Sequence, residues 1–94
     1  MALTGRLGQN PTVRTTPKGV LVARFPLGVK DEADMNTTTW ETVIAFRKLA
    51  EQARDTLKRG DAVEVIGYLH DRQIPGRAGP RTVTEIYATV LKPR

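Results

Sequence analysis

The chain has 94 residues, a net charge of +5 and no cysteine, with 39% hydrophobic and 27% charged residues. That length fits one domain, residues 1–94, and that composition fits a soluble globular chain rather than a disordered or membrane-spanning one. With no serine and a single histidine, His70, the sequence excludes disulfides, serine and cysteine hydrolase triads and Cys/His zinc sites, and its N-terminus lacks the apolar core of a signal peptide, which together favour a reducing, cytoplasmic compartment.

Residues 2–8 form a short first strand. Thr16-Pro17-Lys18-Gly19 is a turn, with proline presetting the second position and glycine the left-handed one. Leu21, Ala23, Phe25, Leu27 and Val29 then alternate with Val20, Val22, Arg24, Pro26 and Gly28, the period of a half-buried strand. Pro26 marks that strand as an edge or a bulge. Asp31 to Thr38 reads as a polar hairpin loop. Thr39 to Phe46 alternates again, with Trp40, Thr42, Ile44 and Phe46 on one face and Glu41, Val43 and Ala45 on the other. Val43 and Ala45 are the better core candidates, and Ile44 is the ambiguous member of the Trp40 face.

Lys48 to Arg59 changes to a helical period, with Leu49, Ala50, Ala53 and Leu57 on one side. Asp55 is spaced to pair with Lys58 or Arg59, those two cations suit the negative end of the helix dipole, and Gly60 sits where a helix terminator belongs. Ala62 to Leu69 is a strand through Val63, Val65, Gly67 and Leu69, Ile74 to Pro80 is a mobile basic loop, and Thr82 to Leu91 is the last strand. Five strands with one helix between the third and fourth make an all-β fold of the small Greek-key barrel type, the oligonucleotide-binding (OB) arrangement.

The chain offers no catalytic constellation. Asp31, Glu32 and Asp34 lie in a loop without calcium-loop spacing and read as a solvated charge run, not a metal site. His70 has no partner evident in the sequence and reads as a surface or interface residue. Gly5, Gly8 and Lys18-Gly19 do not form a phosphate loop, because no helix follows them. No enzyme, no cofactor and no small-molecule substrate is therefore expected.

Charge and aromatics point elsewhere. Residues 1–30 carry five basic groups and no acid, residues 31–70 five basic and eight acidic, and residues 71–94 five basic and two acidic. Basic outer thirds suit a polyanion, nucleic acid foremost. Of five aromatics, Phe25 faces the core by parity. Trp40 and Phe46 share a face six residues apart, about 20 Å along a strand, so they would meet different bases. Two assignments are open for them: core residues, or flat platforms that hold single-stranded bases without reading them. The surrounding Arg24, Arg47, Lys48 and Arg72 favour the platforms.

Four pieces of the chain, in order, resemble the bacterial-type single-stranded DNA-binding proteins. They are Leu3-Thr4-Gly5-Arg6-Leu7-Gly8 with Pro11, Val13-Arg14, Pro17 and Gly19; Thr39-Trp40 with Val43, Ala45-Phe46 and Lys48-Leu49-Ala50-Glu51; Leu57-Lys58-Arg59-Gly60-Asp61 with Val63, Val65, Gly67 and Leu69; and Thr84-Glu85-Ile86. The resemblance implies an OB barrel, a homotetramer built as a dimer of dimers, and sequence-independent binding of single-stranded DNA in replication, recombination or repair. It places Trp40 and Phe46 at base-stacking positions, and Lys48, Arg72, Lys58 and Arg59 near the DNA path. The family's glycine after the motif phenylalanine is Arg47 here, a third stacking aromatic is replaced by Ile74, and the loop at residues 31–38 carries no aromatic. Fewer bases should then be stacked, with more weight on phosphate contacts or on Tyr68. The family's acidic tail, which recruits partner enzymes, does not follow Leu91-Lys92-Pro93-Arg94, so the sequence reads as a truncated chain or a tailless phage, plasmid or accessory member. The alternative reading is a replication-restart interaction protein like the dimeric barrel PriB.

Overall fold

Alternating apolar residues, small or β-branched for the most part, build six strands around one short helix. The computed structural model describes residues 1–31 and 33–94. Its elements are β1 (Ala2–Leu7), β2 (Thr12–Thr15), β3 (Leu21–Lys30), β4 (Thr38–Phe46), α1 (Lys48–Thr56), β5 (Ala62–Ile74) and β6 (Arg81–Pro93). The sheet runs β1-β5-β6-β4-β3-β2, and an added β1–β3 pairing closes five of these strands into a ring. All pairings are antiparallel except β4 with β6, which closes the barrel in parallel through Val43–Ile86 and Ile44–Tyr87.

β2 is the strand that alternation missed. It is the second half of a bent first strand. Leu7 pairs with Leu27 and Thr12 with Arg24, so five steps on one side face three on the other. The excess is looped out around Gly8 to Pro11. Pro26 is explained by this break. Its carbonyl accepts from Gly8 N–H at 3.0 Å, so its own missing donor points into the gap, where no ladder bond is lost. The bulge expected at Pro26 thus exists, but in the partner strand.

The inward faces follow the predicted parity except at Leu69, which shares the parity of Val63 and Val65 but is exposed. Ala23, Phe25, Leu27, Val43, Ala45 and Val63 are fully buried, with Ile86 and Val65 almost so. Helix α1 closes one end of the barrel with Ala50, Ala53 and Leu57. Truncating Phe25 to alanine would cost about 3–5 kcal/mol, as for any large buried ring.

Three local expectations are corrected. The helix ends at Thr56, not Arg59, because Leu57 turns extended (φ −111°, ψ 142°) to enter the core. Gly60 is therefore not a helix terminator. It supplies the left-handed residue (φ 88°) of a tight Lys58–Asp61 turn, in which Asp61 N–H donates to the Lys58 carbonyl at 3.0 Å. Asp55 pairs with its neighbour Arg54 at 2.8 Å rather than with Lys58 or Arg59, which lie beyond the helix. The last two strands are also longer than alternation suggested, and the loop between them shrinks to residues 75–80.

Candidate nucleic-acid interface

Strand pairing fixes which outward side chains meet. Across β3 and β4 the same-face pairs are Lys30–Thr38, Gly28–Trp40, Pro26–Thr42, Arg24–Ile44 and Val22–Phe46. The parallel β4–β6 contact then brings Tyr87 beside Ile44, and β5 adds Tyr68 opposite Tyr87 and His70 opposite Glu85. One continuous face results, with Trp40 at one end and an aromatic group at the other.

Trp40 is exposed, at 60% of its full surface. Its indole lies on a shelf made by two glycines. A Cβ on Gly8 would stand 2.7 Å from the ring, and one on Gly28 would stand 3.0 Å from it. Either methyl would lift the ring off the sheet. This exposure rules out the core reading of Trp40. Arg6 and Lys30 flank the cavity beside it.

At the other end Tyr87 is the hub. Phe46 meets it edge-on at 5.1 Å, Tyr68 meets it edge-on at 5.8 Å, and His70 stacks on it at 4.3 Å with 22° between the planes. Phe46 is half-buried and Tyr68 exposed. Sequence reasoning missed Tyr87 and read His70 as a surface or interface residue with no evident partner. The one local signal is that Tyr87 lies out of phase with the buried Ile86 and Ala88, and only the non-local β4–β6 pairing puts it beside Phe46.

Beside the Phe46–Tyr87 pair lies a cavity of about 310 Å³ whose lining includes Arg14, Arg24, Phe46, Arg72, Glu85 and Tyr87. Ile44 and Val22 are buried beneath it, outside the barrel core. The ambiguity of Ile44 is resolved in this way: it is buried, yet on the outer face. Glu85 is the one buried charged residue among the described residues, and Arg72 holds it with Nε at 2.7 Å and a second nitrogen at 3.3 Å. These hydrogen bonds keep the Glu85 carboxyl below its ordinary range despite burial, which pushes the other way, with further help from the charges of Arg72, Arg24 and His70. Arg72, expected as a free phosphate contact, is therefore engaged within the groove. Arg24 lines the same groove without an ion-pair partner among the described residues.

Beyond Phe46 the chain turns into α1 through Arg47 and Lys48, both exposed. Arg47 adopts φ 58° and ψ −121°, a region natural to glycine and strained for a residue with a Cβ. Its N–H donates to the Leu21 carbonyl at 2.8 Å, which fixes the turn. Lys58 and Arg59 are not gathered with the aromatics. Their turn docks on the β1–β2 break, where Arg59 N–H donates to Asn10 at 2.7 Å and Gly60 N–H to the Leu7 carbonyl at 2.9 Å.

The acidic loop is a set of turns. Asp31 accepts from Ala33 N–H at 2.8 Å. Asp34 accepts from Asn36 N–H at 3.0 Å and the Thr37 hydroxyl at 2.9 Å, which lowers its carboxyl pKa. Glu32, the third acid of that run, lies outside the described residues. No group of three metal-ligating side chains occurs among the described residues.

A closed five-stranded ring, capped by a helix and bearing basic and aromatic residues on one outward face, is an oligonucleotide-binding barrel. The chain matches the single-strand binding protein family over residues 1–93, and it belongs to that family. Among curated proteins it is 34% identical over 97 aligned positions to the single-stranded DNA-binding proteins of Neisseria meningitidis serogroup A and serogroup B. Those alignments cover 96% of this chain and 56% of each relative, so the chain spans about half the length of the curated relatives it matches.

Proposed function

We propose that this chain binds single-stranded DNA through base stacking and phosphate contacts and carries out no chemistry on it. The observation that carries this reading is the one outward face that bears Trp40 and, farther along the same strand, the Phe46–Tyr87–Tyr68 group beside a cavity lined by Arg14 and Arg24. Stacking on flat rings tolerates every base, and arginine and lysine take the backbone, so the binding is largely blind to sequence. Trp40, Phe46, Tyr68 and Tyr87 are the stacking residues of this reading. Arg24, Arg47 and Lys48 are its phosphate contacts, Lys58 and Arg59 extend the basic surface, and Arg72 acts through Glu85. The same reading has one barrel over residues 1–94, assembled as a homotetramer and working on exposed strands in replication, recombination or repair within the cytoplasm.

The test is a titration of the single tryptophan with oligothymidine at low salt. A base stacked on the indole should quench its emission, and duplex DNA of equal length should compete poorly. No quenching and no retention of the oligomer at low salt would overturn the reading.

A further inference from the structure

We propose that Arg6 and Lys30 share one backbone phosphate of single-stranded DNA, that of the nucleotide whose base stacks on Trp40. The inference rests on the single-stranded DNA reading above and adds to it a phosphate site at the Trp40 end of the face.

The phosphate contacts of that reading all lie toward Phe46. The nearest of them to Trp40 is Arg24, in the row of Ile44, four residues or about 14 Å farther along β4. The Pro26–Thr42 row between them carries no charge. Strand register supplies cations on the other side of the ring. Arg6 pairs with Gly28 and Gly28 with Trp40, so Arg6 and Trp40 face outward in one row, with no side chain between them. Lys30 stands in the next row, opposite Thr38. Arg6 and Lys30 are then diagonal neighbours about 7–8 Å apart at the backbone, a spacing that two long side chains span.

Together with Trp40 and Thr38 they line a cavity of about 440 Å³. A Cβ on Gly28 would meet the indole at 3.0 Å and the Thr38 methyl at 3.2 Å, so any side chain there would fill the gap. Both cations are exposed, and neither has an ion-pair partner among the described residues. Their hydrogen bonds go to neutral groups. Arg6 donates to the Gly60 carbonyl at 3.0 Å, and Lys30 Nζ donates to the Thr38 hydroxyl oxygen at 3.1 Å. Each cation keeps donors to spare, and the Thr38 hydroxyl, accepting from Lys30, keeps its own proton to give. Charged donors of this kind make the strong hydrogen bonds to phosphate. The indole rests one face on Gly8 and Gly28, so a base has only the solvent-facing side, and its phosphate must pass an edge of the ring. The edge toward Arg6 and Lys30 is the charged one.

The experiment is a double-mutant cycle, read at low salt by the anisotropy of a labelled oligothymidine. Lys30 is on β3, away from the open edge of β1, so its variants leave that edge intact. Lys30→Gln should weaken binding about fivefold in the wild type but less than twofold in Trp40→Ala, because a nucleotide that has lost its ring no longer holds its phosphate in place. Lys30→Arg, which keeps the charge, should restore binding. Replacing both Arg6 and Lys30 by glutamine should lower the salt slope by about 0.7, the value for one phosphate. Equal losses in the two backgrounds would make Lys30 a remote charge and overturn the inference. A slope change of about 1.4 would give the two cations separate phosphates and overturn the shared site. Wild-type binding that Lys30→Gln leaves unchanged would overturn this inference alone. Failure of the wild type to bind any oligomer would overturn the single-stranded DNA reading, and this inference with it.

Discussion

At the scale of single residues, two side chains sit where packing alone would not put them. Trp40 is a large apolar ring left on the surface, held flat by Gly8 and Gly28. Its removal takes little from the core, so Trp40→Ala should leave the thermal melt within a few degrees of wild type. A stacked base contributes about 1–3 kcal/mol, so the same variant should bind oligothymidine roughly 5- to 150-fold more weakly. A lost melt with unchanged affinity would reverse the assignment. Arg47 is the second case. Its glycine-type backbone (φ 58°) costs about 1–3 kcal/mol, partly offset by the extra entropy an unfolded glycine would have, about 0.4–1 kcal/mol. Arg47→Gly should therefore stabilise the protein by about 1 kcal/mol, a rise of roughly 4–8 °C for a chain of this size. It should also weaken binding by removing a cation next to Phe46. A melt that falls instead would show that the strain is absent.

At the scale of elements, the paired strands β5 and β6 hold the ion pair that orders the groove. Glu85 has its folded pKa lowered from an ordinary 4.5, chiefly by the Arg72 hydrogen bonds. A lowered carboxyl contributes stability that is complete above its unfolded value and lost as pH falls through the folded one. The melting temperature should therefore drop as pH is taken below about 4.5. Glu85→Gln should be less stable than wild type by about 1–3 kcal/mol at neutral pH and should lose less on acidification. Melts at a series of pH values, with equal acid sensitivity in both proteins, would refute this. Elements were legible in the sequence wherever a two-residue period was long and uninterrupted. β3, β4 and the first half of β5 show it, and so does the burial of Val43 and Ala45. β2 was not legible, because its four residues (Thr-Val-Arg-Thr) carry one apolar side chain and gain their place from pairing with β3. The far half of β5 was hidden because its outer residues are polar on both faces. The site followed the same rule. Trp40 and Phe46 emerge from local alternation, whereas Tyr87 and the Arg72–Glu85 pair depend on contacts between distant strands.

At the scale of the whole molecule, charge and the open strand edge set the behaviour. A net charge of +5 with basic groups on the proposed DNA face predicts affinity that falls steeply with salt, at a slope near −0.7 per phosphate contact on single strands. Lys48→Ala should lower that slope by about 0.7, and Arg72→Ala by less, since Glu85 already offsets Arg72. Equal changes in the two slopes would contradict the ion pair's role. The edge concerns assembly. β1 pairs with β5 from Ala2 to Arg6 but meets β3 only at Arg6 and Leu7, so its other edge is unpaired over Ala2 to Gly5. An unpaired edge recruits another strand, and a second copy of β1 gives a two-fold symmetric partner, the first step of the proposed tetramer. Leu7 N–H donates to the Asp61 carbonyl, and the Met1 carbonyl accepts from Gly67 N–H, so the odd-numbered residues of β1 turn their backbone bonds toward β5. The backbone N–H groups of Ala2 and Thr4 then point to the free edge. Thr4→Pro deletes one of these donors without touching the β5 ladder, at a place where an edge strand tolerates proline. Sedimentation of the wild type should give a tetramer, and Thr4→Pro should give a smaller species with its strand content intact by circular dichroism. A wild-type monomer at micromolar concentration, or a Thr4→Pro variant of unchanged mass, would exclude β1 as the pairing edge.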